Sequence, residues 1–164
     1  SKSSAIAEAL GALDEINSFL GLCKVKCKDC DNVLPKNQHS LCGLVHQVQE
    51  NLFIIQAEVA GFPKEFDLAK IQEIEGIVDS IERELPPIKT FFISGGTEHA
   101  ALFDTARTIA RRAERRVVAV SEEGIHKVSS QTLAYLNRLS SLMYALARLM
   151  NHTSGVSEHP PSYK

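Results

Sequence analysis

Apolar residues that return every three or four positions, in five stretches of about twenty residues each, constrain this chain more than any other feature. Ile6, Leu10, Leu13, Ile16 and Leu20 make one inward stripe, with Ser3 or Ser4 placed to cap its first turn and the polar segment from Lys24 to Lys36 to end it. A second stripe, Leu41, Leu44, Val45, Val48, Leu52, Ile55 and Val59, opens near Asn37 or Ser40 and stops at Gly61 and Pro63. Asp67 caps a third, Leu68, Ile71, Ile74, Ile77, Ile81 and Leu85, which Pro86 and Pro87 end because proline offers no amide hydrogen and clashes with the preceding turn. Thr97 caps a fourth that runs to about Ser121 before Gly124 breaks it. Ser129 or Ser130 caps a fifth carrying Leu133, Leu136, Leu139, Met143, Leu146 and Met150. No stretch shows sustained strand alternation. The expectation is an all-α fold: one domain over residues 1–164, an up-and-down five-helix bundle with antiparallel neighbours and a tail from residue 152 onward.

Between the third and fourth stripes lies IKTFFISGGT, β-branched and aromatic, then glycine-rich. That composition predicts an extended strap across the surface with a tight turn at Gly95 and Gly96. On sequence alone its two phenylalanines read first as core packing.

The remaining composition excludes several function classes. With 44% hydrophobic and 23% charged residues, the 164-residue chain is that of an ordinary globular domain. No apolar run is long enough to cross a bilayer and no secretory signal precedes the first stripe, so the expected location is the cytoplasm, or an organelle matrix after removal of a targeting segment. A sequence pI near 6.3 argues against a general nucleic-acid binder. Cys27, Cys30, His39 and Cys42 can be written as a C-x2-C-x8-H-x2-C zinc site, but the spacing matches no common zinc module. Reduced cysteines in and beside a surface loop are the expectation. None of the six histidines is placed by the sequence beside a cysteine or serine as a nucleophilic dyad.

Against a formal net charge of -2, the stretch ARTIARRAERRVVAV packs five arginines into residues 106–120. On a helical wheel whose buried face is Leu102, Ile109, Ala113, Val117 and Val120, Arg107, Arg111, Glu114 and Arg115 fall within about 100° of one another at the border of the apolar stripe. Arg112 and Arg116 point about 140° and 180° from Arg107, outward. Arg107 and Arg111, one turn apart, suit successive phosphates, with Glu114 orienting a guanidinium or a magnesium ion. The competing reading is a solvated face laced with salt bridges.

Three separated motifs in order, GALDEINSFLGL, FFISGG followed by ARTIARRAERRVVAV, and YLNRLSSLMYALAR, resemble the ATP:corrinoid adenosyltransferases of the PduO type. The resemblance implies transfer of the 5′-deoxyadenosyl group of ATP to the cobalt of a reduced corrinoid, with cobalamin and ATP as substrates, magnesium as cofactor, and a homotrimer with sites between subunits. It also implies a flavin-dependent reductase that supplies electrons and a cobalamin-dependent enzyme that accepts the product. By the same resemblance Arg111, Arg112, Glu114, Arg115 and Asn137 would contact ATP and its magnesium, and Arg107 would pair with Asp14 across the interface. Lys2, twelve residues before Asp14, would reach the phosphates. Phe91, sixteen residues before Arg107, would exclude the lower axial ligand of cobalt, with Phe92 as the neighbouring candidate.

Departures from the family pattern are visible. The glycine- and threonine-rich loop that precedes the lysine in that family does not occur in these residues, and the expectation is that it belongs to a segment ahead of them. Ser94 stands where proline is frequent, and Ser141 where an aspartate commonly follows NRLS. Among other classes, a di-iron bundle needs paired Glu-x-x-His motifs, and only Glu123 and His126 fit that spacing. A helical RNA-binding module would use the arginines without needing Phe91. A non-catalytic ATP- or corrinoid-binding regulator on the same scaffold is the stronger alternative.

Overall fold

A computed structural model describes residues 4–30, 32–35, 40–124 and 126–164. Lys2, the alternative caps Ser3 and Asn37, and His39 lie outside the described residues. Five α-helices account for the regular structure: α1 Ala5–Lys26, α2 Leu41–Val59, α3 Leu68–Glu84, α4 Glu98–Glu123 and α5 Ser130–Thr153.

Each helix starts where a side-chain oxygen satisfies an otherwise orphaned amide of the first turn. Ser4 accepts from Ala7 N–H, Ser40 from Gly43, Asp67 from Ala69, Thr97 from Ala100 and Ser129 from Thr132, all at 2.9–3.2 Å. The ends are set by different means. α1 runs on through Lys24 and Lys26, because lysine is a good helix former and its charge suits a helix C-terminus. Gly124, at φ 68°, stops α4 in the left-handed conformation that costs glycine least.

Polar links show how the helices run past one another. Lys26 pairs with Glu98 at 2.9 Å, Glu15 with Arg112, and Glu8 with Arg116 at 3.7 Å, so α1 and α4 lie antiparallel. Asn17 and Gln49 exchange bonds between α1 and α2, near Lys24 bonded to Gln49 at 2.8 Å. The helix pairs in most extensive contact are α4 with α5, α1 with α4, α3 with α5 and α1 with α2.

α5 is the most enclosed element. Every residue from Ala145 to Asn151 is buried, Arg148 among them. Its N-terminus is held by Glu58 of α2, a buried carboxylate that accepts from Ser129 N–H at 3.0 Å and from the Thr132 hydroxyl. α4 meets α1 and α5 through Ala100, Ala106, Ala110 and Ala113, whose small side chains let backbones approach. Of the expected inner face Ala113, Val117 and Val120 are buried, whereas Leu102 and Ile109 are only partly so, and Phe103 and Ala106 point inward as well.

The segment after α5 is not a loose tail. The Ile93 amide donates to the His159 carbonyl at 2.8 Å, and Glu158 pairs with Arg148 at 2.9 Å. Residues 156–159 therefore lie against the strap that joins α3 to α4.

Candidate active site at the α4–α5 seam

Pro86 and Pro87 keep the chain out of helix after α3, and it stays irregular until Thr97. Gly95 and Gly96 turn it at φ 122° and 97°. Asn151 clamps the turn: its Nδ2 donates to Gly95 O at 2.9 Å and its Oδ1 accepts from Thr97 N–H at 2.9 Å. A Cβ on Gly96 would come within 2.4 Å of Asn151 Oδ1. The expected strap is thus present, and it is fixed to α5 at the point where α4 begins.

The clamp sets the two aromatic residues over the α4–α5 seam. There a cleft of about 270 Å³ is lined by Phe91, Phe92 and Ser94 of the strap, Asp104, Arg107 and Arg111 of α4, and Ser140, Ser141 and Tyr144 of α5. Phe91 is 79% exposed, so its ring is not part of the core, against the first expectation for it. Phe92 is half-buried, its ring 5.4 Å from the Arg148 guanidinium carbon. Four residues singled out from the sequence, Phe91, Phe92, Arg107 and Arg111, therefore share one concave surface.

The five arginines divide into two groups. Arg107 pairs with Asp104 at 2.7 Å, and its guanidinium lies 5.9 Å from the centre of the Tyr144 ring. Arg112 and Arg116 bind Glu15 and Glu8 of α1. Among the described residues, Arg111 and Arg115 have no hydrogen-bond or ion-pair partner, and both are exposed. The salt-bridge reading is correct for three of the guanidiniums, those of Arg107, Arg112 and Arg116.

Some expectations change. Arg112 does not simply face solvent. It is engaged with Glu15, away from the cleft, because α1 lies along that flank of α4. Within the chain Arg107 is held by Asp104, one turn before it, and Asp14 sits exposed on α1 with no ion pair among the described residues. Glu114, half-buried, accepts from Asn137 Nδ2 at 3.0 Å, which joins two expected ATP contacts across α4 and α5. Arg138 donates to the oxygen of the same amide at 3.1 Å.

No three His, Cys, Asp or Glu side chains gather as a metal cage among the described residues. A single carboxylate between arginines suits magnesium, which takes one or two protein oxygens and fills its octahedron with water and phosphate oxygens. Glu114 fits that demand. Two of the cysteines, Cys23 and Cys27, are buried in the core, and desolvation pushes both thiols up to about 12. His99 does approach a cysteine, its Nε2 4.0 Å from Cys30 Sγ. The same nitrogen is 3.0 Å from the Lys26 carbonyl, to which it donates, so it is not a base for the thiol.

Sequence reasoning missed Asp104, Tyr144, Arg148, Asn151 and Glu158. Two signals were available. Asp104 stands three residues before Arg107, a helical pairing distance, and Arg148 interrupts the otherwise apolar run LMYALARLM. Burial also raises the Tyr144 phenol above its ordinary value, partly offset by Arg148 and Arg107.

Comparison with known proteins agrees with this geometry. A profile of the family described as Cobalamin adenosyltransferase matches residues 1–150. A corrinoid adenosyltransferase of Bacillus subtilis (strain 168) is 35% identical over 162 residues, which cover 96% of this chain and 80% of the relative. Corrinoid adenosyltransferase PduO of Citrobacter freundii is 35% identical over 93% of this chain, which spans only 44% of that longer protein. Among solved structures, an arginine-to-lysine variant of a PduO-type adenosyltransferase from Lactobacillus reuteri, complexed with ATP, superposes with a TM-score of 0.84 at 27% identity, covering 98% of this chain and 89% of the other. A phenylalanine-to-alanine variant from the same organism, complexed with cobalamin and ATP, gives 0.81 at 25% identity, covering 98% and 88%. The fold, the cleft and these matches together place the chain in the cobalamin adenosyltransferase family.

Proposed function

We propose that the chain transfers the 5′-deoxyadenosyl group of ATP to the cobalt of a reduced corrinoid, forming adenosylcobalamin and releasing triphosphate. The observation that carries this reading is the Arg111 guanidinium, without an ion-pair or hydrogen-bond partner among the described residues, in the cleft beneath the aromatic strap, with Arg115 likewise unpaired one turn further along α4.

Cobalt(I) attacks the 5′ carbon with its electron pair; the carbon–oxygen bond breaks and its pair leaves on the triphosphate. No proton needs to move at the reacting carbon. What the protein must supply is positive charge where the leaving group gathers negative charge, held in place before the reaction begins. Arg111 does this directly, with Arg115 beside it. Glu114 would hold magnesium, which neutralises phosphate charge when bound, and Asn137 keeps Glu114 turned toward α5. Arg112, committed to Glu15, belongs to the α1 contact rather than to ATP.

Phe91 supplies the apolar face against which a corrinoid loses its lower axial ligand, which eases reduction of cobalt(II). Phe92 supports it from the half-buried side. Lys2, which lies outside the described residues, is assigned to the phosphates by its spacing from Asp14 alone. In an up-and-down bundle assembled as a homotrimer, Asp14 of one subunit would meet Arg107 of the next, competing with Asp104 for the same guanidinium. A flavin-dependent reductase upstream and a cobalamin-dependent enzyme downstream complete the reading, in the cytoplasm or an organelle matrix.

The test is product stoichiometry. Full-length protein incubated without oxygen with cob(I)alamin, ATP and magnesium should yield adenosylcobalamin and triphosphate one to one. Tight binding of both substrates with neither product formed would instead establish a non-catalytic regulator.

A further inference from the structure

Arg148 is a guanidinium only 5% exposed, in the most enclosed stretch of the molecule. A buried ion pair is weak evidence for stability, since well-packed apolar side chains often do as well. What Arg148 does uniquely is join three segments. Its Nε and Nη2 grip both carboxylate oxygens of Glu158 at 2.9 and 3.1 Å, and Nη2 also donates to the Pro86 carbonyl at 2.9 Å. Its guanidinium carbon lies over the Phe92 ring, 5.4 Å from the centroid. The exit of α3, the aromatic strap and the C-terminal segment thus meet on one planar group whose fork geometry lysine does not share. The bond from Ile93 N–H to His159 O ties the strap to the same segment on the far side of Phe92.

We infer that Arg148, acting with Glu158, is a positioning residue that sets the height of the strap and so the placement of Phe91 over the corrinoid. The inference rests on the reading of Phe91 as the group that displaces the lower axial ligand. Arg148 touches no reacting atom. It acts through Phe92 and the C-terminal segment, and the part of the reaction it governs is preparation of cobalt(II) for reduction, not attack on ATP.

The test uses Arg148→Lys and, in a segment outside the bundle, Glu158→Gln, both in the full-length protein. Amide exchange at Ile93 reads the strap without any substrate and should quicken at least about tenfold in each variant, while core amides of α5 keep their rates. With magnesium-ATP and cob(II)alamin, the absorption signature of cobalt lacking its lower ligand should fall several-fold, with KM for ATP unchanged. Adenosylation started from chemically reduced cob(I)alamin should keep its wild-type rate. Wild-type Ile93 exchange together with a wild-type cobalt(II) spectrum in both variants would overturn the inference, as would loss of thermal stability alone. A wild-type protein that never shows the signature would overturn the reading of Phe91 itself, and faster Ile93 exchange in the variants would then still support the joint.

Discussion

Gly96 carries more of the site than its size suggests. Its φ of 97° disfavours any side chain, and a methyl group there would collide with the Asn151 amide that holds the turn. Gly96→Ala should cost about 1–3 kcal/mol in urea unfolding and free the strap. An unchanged midpoint would show that the turn is softer than the clamp implies. At this scale the sequence was a partial guide. Wheel geometry separated Arg111 and Arg115 from Arg112 and Arg116 because angle around a helix follows from spacing alone. It could not show that Asp104 occupies Arg107 or that Glu15 occupies Arg112, since those depend on rotamers and on which helix lies alongside. Arg148 was passed over because its stripe reads as core, and only the fold brings Pro86 and Glu158 to it.

Among the elements, α5 depends on a neighbour for its start. Glu58 accepts two bonds at its N-terminus, so Glu58→Ala leaves Ser129 N–H and the Thr132 hydroxyl to find other partners. The expected loss is about 2–3 kcal/mol, measured by denaturant, with faster exchange of the first α5 amides. Fraying without a shift in midpoint would contradict it. The helices themselves were readable because cap residues and apolar periodicity agree with one another along the chain. The rotation of α4 was not. Alanine carries little hydrophobic signal, yet in a helix wedged between two others it is the residue that permits close approach, so the predicted face held at Ala113, Val117 and Val120 but was rotated toward its rim by Leu102 and Ile109. The strap was foreseen from its prolines and glycines, whereas the C-terminal segment gives no local sign of docking, its contacts being made by one carboxylate and one carbonyl.

For the molecule as a whole, the buried thiols make stability depend on pH in the alkaline range. Cys23 and Cys27 titrate near 9.0 when unfolded and at about 12 when folded, both chiefly because burial disfavours the thiolate. The unfolded chain therefore releases protons first, and stability should fall as pH rises from about 9 toward 12, with Tyr135, also raised by burial, acting in the same direction. Thermal midpoints of wild type and a Cys23→Ala, Cys27→Ala double variant should diverge less at pH 10.5 than at pH 8, and a constant difference would contradict this. The central claim concerns chemistry: we propose that Arg111, unpaired among the described residues and lining the α4–α5 cleft, stabilises a departing triphosphate. Single-turnover adenosylation of pre-reduced cob(I)alamin by full-length wild type and Arg111→Ala, followed by absorbance, tests it most directly. The account predicts a rate lower by about 10²-fold in the variant with corrinoid affinity unchanged; equal rates would contradict it.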